Sequence, residues 1–271
     1  MRVNKDSFEI HNQKYANKNL IYSIGEYRDY VNYFLETWKE EELWYRGVPK
    51  STFRLIPSIY RNKVWSYNYG SAKVIYHSFI HKARGYLMSG NLGKWEWYQI
   101  MQHYTLPTRL LDWTEGSLIA LYFACRNPNT KATPCVWLLN PFNLNKLSTK
   151  NESVFYTDKL TRDEGDTIVD DYLNDDVQMP DFPIAFVPPY INKRMSAQRS
   201  CFTVHGEMKY GFENLFKANH DLQLVQLKIS GKVAYEIKKE LVKFGISEST
   251  LFPDLEGLAR EIRFDFGMNI F

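Results

Sequence analysis

Apolar side chains recur at helical spacing along Tyr27, Val31, Phe34, Leu35 and Trp38, which predicts an amphipathic helix with one face on a core. Ser23-Ile24-Gly25-Glu26, just ahead of it, has the form of a capping box. Leu43 to Gly47 (LWYRG) is a short aromatic run ending in glycine, a strand pattern. Pro49 and Pro57 make the following segment irregular as far as Tyr60. A second helix is expected from Ser71 to Leu87, with Tyr76, Ile80, Ala83 and Leu87 on one side and Gly90 as its stop. WEWYQIMQHY continues as helix until Pro107 disturbs it, because the residue before a proline avoids the α region. Thr114 is placed to cap a helix from Ser117 to Cys125. Pro134 to Asn140 reads as a central strand, and Ile184–Val187, Cys201–Val204 and Leu222–Ile229 supply three more. Lys232–Phe244 and Pro253–Arg263 close the chain as helices.

Helices come early and most strands late, so the expected class is α+β: a twisted, mainly antiparallel sheet with flanking helices. Residues 1–40 read as an N-terminal helical extension, and residues 41–271 as one α+β domain with an acidic insertion at about 148–182. From Asp158 to Asp181 there are nine carboxylates against Lys159 and Arg162. That stretch is read as a solvated, mobile insertion, with a charged surface for a basic partner as the alternative.

Composition adds bounds. A chain of 271 residues that is 44% hydrophobic and 16% aromatic describes an ordered globular protein. The net charge of +3 does not announce extended nucleic-acid binding, although a local basic groove remains compatible with it. Cys125, Cys135 and Cys201 show neither CxxC nor Cys/His ligand spacing, so no disulfide framework or metal site is expected, and a reducing cytoplasm fits. MRVNKDSFEIHNQKY lacks an apolar leader core and no run approaches 18 apolar residues, so no membrane association is expected.

No Walker loop, GxGxxG, HExxH or GxSxG occurs. Three patches carry possible chemistry. In Tyr45-Arg46-Gly47, an arginine at a strand end next to a glycine can offer a planar fork to phosphate; its alternative is a surface arginine stacked on aromatics. In MQHYTLPTRLLDW, His103 and Tyr104 sit where a helix ends and can face a cleft, or serve as hydrogen-bonded structural residues. Arg109 and Asp112 in the same stretch are read as a buried ion pair bracing the turn, with Trp113 beside them. In RMSAQRSCFTV, Arg194 and Arg199 put cations at the mouth of an apolar strand, and Cys201 reads as core rather than nucleophile.

Tyr45-Arg46-Gly47, MQHYTLPTRLLDWTEGSLIALYFAC, RMSAQRSCFTV and TLFPDLEGLAREI together resemble the FRG domain family, over roughly Leu43 to Arg263. Members usually have glycine after the His-Tyr pair and after the Gln-Arg pair. Here those places hold Thr105 and Ser200, so a different local loop geometry is expected. A second resemblance is to ADP-ribosyltransferases: an arginine ending the first core strand, then Leu110-Leu111-Asp112-Trp113-Thr114 leading into Ala120-Leu121-Tyr122-Phe123-Ala124.

The second resemblance implies the ADP-ribosyltransferase fold and NAD as substrate, with cleavage of its nicotinamide–ribose bond through an oxocarbenium-like state. On this analogy Arg46, flanked by Tyr45 and Gly47 and aided by Arg194, clamps the diphosphate. His103 or Tyr104 holds the nicotinamide end, Gln198 orients ribose or acceptor, and Arg109, Asp112 and Trp113 support the site. The carboxylate such enzymes place on a later strand has no assigned residue, with Gln198, Glu207 and Glu256 the nearest candidates. The resemblance further implies a bacterial toxin or phage-defence effector with an RNA, DNA or protein acceptor and an antitoxin or other regulatory partner. The alternatives are a non-catalytic nucleotide- or nucleic-acid-binding module using Arg46, Arg109, Arg194 and Arg199, and a protein-interaction domain.

Overall fold

The computed structural model describes residues 20–61, 69–86, 92–157, 168–173, 178–207, 209–215 and 222–268. In chain order the elements are α1 (Ile24–Trp38), β1 (Trp44–Val48), α2 (Ser58–Arg61), α3 (Tyr69–Ala83), α4 (Lys94–His103), β2 (Leu110–Thr114) and α5 (Ser117–Cys125). They continue with β3 (Cys135–Leu139), α6 (Pro141–Thr149), β4 (Phe155–Tyr156), β5 (Ile184–Val187), α7 (Lys193–Ala197) and β6 (Ser200–Val204). The last are α8 (Phe212–Leu215), β7 (Leu224–Lys228), α9 (Ala234–Lys243), α10 (Glu248–Leu251) and α11 (Leu255–Asp265).

The strands form one open seven-stranded sheet in the order β4-β5-β6-β2-β1-β3-β7. Every pairing is antiparallel except β4 with β5, so the class is mixed α and β on a mostly antiparallel sheet. Side chains alternate across a strand, and this sheet covers its two faces differently. One face is continuous: Trp44, Val48, Leu111, Trp113, Cys135, Trp137, Leu139, Ala185 and Cys201 form a single core with Leu144 and Phe212.

The opposite face is split. Around β1, β3 and β7, Tyr45, Val136, Leu138, Val225 and Leu227 pack under residues of α1, α5 and α9. Around β2, β5 and β6, Leu110, Ile184, Phe186, Phe202 and Val204 pack under Trp95, Tyr98 and Met101 of α4. Between the two clusters the strand positions on this face are polar: Asp112, Thr114 and Ser200. β1 and β2 share a single paired position there, Tyr45 with Thr114.

Several sequence expectations meet the structure directly. Ser23 caps α1 by accepting the Glu26 N–H at 3.1 Å, but the Glu26 carboxylate reaches back to the Tyr22 N–H at 2.8 Å rather than to Ser23. Thr114 does not cap α5: it ends β2, Gly116 holds the cap position, and the Thr114 hydroxyl accepts the Gly116 N–H at 3.0 Å. The second helix runs from Tyr69 to Ala83, short of Leu87, which with Gly90 lies outside the described residues.

The stretch read as a solvated acidic insertion contains β4, and its Val169, Tyr172 and Met179 are buried. Asp170 accepts the Trp95 indole N–H at 2.9 Å, so these parts are fixed in the fold; most of its acidic residues lie outside the described ones. No helix among the described residues is long and apolar enough to cross a membrane.

Candidate functional site

The gap between the two helical covers is a cleft of about 330 Å³, lined from β1, β2, β6, α4, α5 and the α7 region. β1 brings Tyr45, Arg46 and Gly47; α4 brings Gln99, Gln102 and His103; β2 brings Asp112, Trp113 and Thr114. Phe123 of α5 and Phe202 of β6 are apolar walls, and the α7 region supplies Asn192, Arg194, Met195 and Gln198.

Arg46 lies where β1 and β2 stop pairing. Its guanidinium bridges the opening, donating to the Asp112 carbonyl oxygen and sitting 3.6 Å from the Asp112 carboxylate. Burial lowers the Arg46 pKa from its ordinary value, and the Asp112 charge opposes that shift. Gly47 lines the cleft and also has a packing role. A Cβ there would stand 1.8 Å from the Ala120 carbonyl oxygen and 2.6 Å from the Ala124 backbone nitrogen, so its missing side chain is what lets α5 cross β1.

Asp112 is the carboxylate in this cleft among the described lining residues. Its two oxygens accept from Gln102 Nε2 at 3.2 and 3.0 Å. The other end of Gln102 accepts from the Thr108 hydroxyl, so that amide is held at both ends. The expected Arg109–Asp112 ion pair does not form. Residues three apart on an extended chain point to opposite faces, and Arg109 turns away into the core. There it reaches the Tyr172 carbonyl oxygen, Met179 Sδ and, at 3.4 Å, the Tyr98 hydroxyl. Arg109 is therefore outside the cleft, and Asp112 is part of it.

His103 and Tyr104 separate. His103 faces the cleft, its pKa lowered by partial burial and the Arg194 charge and opposed by Asp254. Tyr104 is exposed and stands outside the cleft, its ring edge-on to His103 at 5.0 Å. The next residue, Thr105, has φ 62°, the left-handed region that favours glycine, so the glycine-like backbone persists without the glycine. Ser200 is ordinary strand in β6, and the positive φ nearby belongs to Arg199 at 46°.

Gln198 lines the cleft, but its Nε2 donates to the Leu251 carbonyl oxygen at 3.0 Å and so ties α7 to α10. Glu256 is exposed and pairs with Arg260 at 2.5 Å, and Glu207 lies beyond the end of β6; neither lines the cleft. Arg199 pairs with Glu115 at 3.1 Å, also outside it. All three cysteines are buried; burial pushes Cys125 and Cys135 up to about 12 and raises Cys201, which suits core residues. Among the described residues no three His, Cys, Asp or Glu side chains are grouped to hold a metal ion.

Behind Arg194 lies a charge cluster that no single segment announces. The Phe252 ring carries three guanidiniums, those of Arg126 at 4.3 Å, Arg194 at 4.5 Å and Arg260 at 4.9 Å from its centroid. Buried Glu248 binds two of them, Arg126 through 2.6 and 2.7 Å contacts and Arg260 at 2.8 Å. Burial alone would raise the Glu248 carboxyl, but hydrogen bonds and charge from Arg126 and Arg260 outweigh it and hold it below the usual value. The Tyr122 hydroxyl adds a 3.2 Å bond to the same carboxylate.

Gln99, like Gln102, is a cleft residue that sequence reasoning passed over. It is 3% exposed, lines the cleft, and neither end of its amide has a hydrogen-bond partner among the described residues. An unmatched buried polar group costs about 1–3 kcal/mol. Its legible signal is spacing: Gln99, Gln102 and His103 stand at i, i+3 and i+4 on α4, a polar stripe beside the buried Trp95, Trp97, Tyr98 and Met101.

An open mixed α and β sheet with a two-arginine, one-carboxylate cleft at its split face defines the class. Residues 41–133 match the family model of the FRG domain, and that stretch is an FRG domain. It carries Arg46, His103 and Asp112 and ends before β3, so Arg194 and Gln198 come from the chain beyond it. No curated protein and no solved structure matches the chain.

Proposed function

We propose that the cleft binds NAD and that the protein transfers ADP-ribose from it to an intracellular macromolecule. One observation carries the reading: Arg46, His103, Asp112 and Arg194, drawn from segments far apart in sequence, line a single cleft. Two guanidiniums suit a diphosphate, which accepts bidentate hydrogen bonds. His103, its pKa lowered, stays neutral near pH 7 and can hydrogen-bond the nicotinamide end without setting a cation beside a ring that is itself cationic.

In the transfer, the bond between ribose C1′ and the nicotinamide nitrogen breaks and its electron pair leaves with nicotinamide, which becomes neutral. Positive charge then develops on the ribose. Asp112, oriented by Gln102, is the cleft's negative group for that charge and fills the role that Gln198, Glu207 and Glu256 could not. The acceptor nucleophile attacks C1′, forming the new bond to ribose, and its proton passes to solvent water.

A binding module is the second reading, and a specific feature favours it: the Asp112 carboxylate already has Gln102 and Arg46 as partners. The experiment is to incubate the protein with NAD and cell extract and to follow nicotinamide release alongside NAD binding by calorimetry. Release supports transfer. Binding without release supports the module, and absence of both removes NAD as the ligand.

A further inference from the structure

Two glutamines of α4 face the cleft, and they are not equivalent. The Gln102 amide is consumed by the protein: it donates to both Asp112 oxygens and accepts from the Thr108 hydroxyl. The Gln99 amide, one turn earlier, has neither a donor nor an acceptor partner among the described residues, although it is almost wholly buried. An apolar side chain of similar length would satisfy the packing around Gln99, where the cleft also takes in buried Met195 and Phe202.

We propose that Gln99 is a ligand-recognition residue that reads a planar primary carboxamide on an aromatic ring, accepting through Oε1 from the ligand's NH2 and donating through Nε2 to its carbonyl oxygen. A glutamine amide presents a donor and an acceptor in a plane; a primary carboxamide matches both, as does the N6/N7 edge of adenine, and ADP-ribose, which keeps the adenine and lacks the carboxamide, separates the two. The cleft's remaining parts are consistent with the rest of such a molecule, with apolar Met195 and Phe202 for a ring and Arg46 and Arg194 for an anionic tail. The identity of the ring as nicotinamide rests on the reading of the cleft as an NAD site. The donor–acceptor pairing is a property of Gln99 itself.

The test compares the wild type with Gln99→Leu by calorimetry, with NAD, free nicotinamide, nicotinic acid and ADP-ribose as probes, and by thermal unfolding without ligand. Gln99→Leu is expected to weaken NAD and nicotinamide about 10- to 100-fold, while ADP-ribose, which lacks the carboxamide, binds as before. The wild type is expected to prefer nicotinamide to nicotinic acid, and the unliganded variant to melt no lower than the wild type because the orphan amide is gone. Equal NAD binding by the two proteins overturns the proposal, as does a lower melting temperature in Gln99→Leu, which would mean that Gln99 serves the fold. Failure of NAD cleavage with the Gln99 effect on binding intact removes the transferase reading and leaves this one standing. Normal cleavage by a Gln99→Leu protein with unchanged NAD affinity does the reverse.

Discussion

Replacing Glu248 by glutamine keeps the shape of the side chain and removes the one carboxylate that holds Arg126 and Arg260 together. Its contacts at 2.6, 2.7 and 2.8 Å are charge-assisted, and its side chain is only 5% exposed. Breaking a fully buried ion pair costs about 3–5 kcal/mol. The two guanidiniums are about a quarter exposed, at 26% and 24%, so water recovers part of that loss. The expected destabilisation is about 2–4 kcal/mol at pH 7, or roughly 5–10 °C in Tm for a chain of this size.

The pH dependence gives the sharper check. The Glu248 carboxyl is held below its ordinary value in the folded state, so folding favours its ionised form. Its contribution is complete above the unfolded carboxylate pKa near 4.5 and is lost as pH falls from there through the folded value. Urea unfolding of wild type and Glu248→Gln at pH 7 and pH 3.5 should therefore show a gap that narrows in acid. A gap below about 0.5 kcal/mol at pH 7, or one of equal size at both pH values, refutes the assignment of Glu248 as the counter-charge.

Two further predictions concern the frame of the site. Gly47→Ala puts a Cβ against the Ala120 carbonyl oxygen and should cost more than about 3 kcal/mol by chemical denaturation, with a variant within 1 kcal/mol of wild type contradicting the close crossing of α5 over β1. His205 is fully buried with neither ring nitrogen partnered among the described residues, and burial, with the Arg46 charge, lowers its pKa to about 3. The unfolded chain binds the extra proton, so stability falls as pH drops from about 6.5 towards 3, by about 5 kcal/mol if the whole shift is expressed. His205→Leu should flatten that slope in urea titrations, and an unchanged slope would place the titration elsewhere.

The strands were the most legible part of the sequence because their apolar runs are bounded by turn residues and their alternation survives into both cores. The α6 helix was missed although Asn140 followed by Pro141 is a start signal: the Asn140 side chain accepts the Phe142 and Asn143 N–H groups at 3.0 and 3.1 Å. Asp112 was misplaced for a geometric reason. Its three-residue spacing from Arg109 suggests a pair only on a turn or helix, whereas strand alternation sends Arg109 to the core and Asp112 to the cleft. His103 is the last residue of α4, as its place before Pro107 suggested, whereas Arg46, read as a strand end, is the middle residue of β1 and reaches the cleft because β1 and β2 stop pairing beside it. The cluster of Arg126, Arg194 and Arg260 about Phe252 leaves no trace in local pattern, since its members meet only after α5, α7, α10 and α11 have packed.

The central claim is that Asp112 stabilises charge on a ribose held in this cleft, and it is tested by comparing NAD affinity with the rate of nicotinamide release in wild type and Asp112→Asn. The asparagine keeps the size of the side chain and removes its charge. The account predicts that release falls about 100-fold or more while NAD binding changes by less than about tenfold, the mark of an interaction that matters in the transition state. Release at the wild-type rate from a folded Asp112→Asn protein, or loss of binding and release in equal measure, would contradict it.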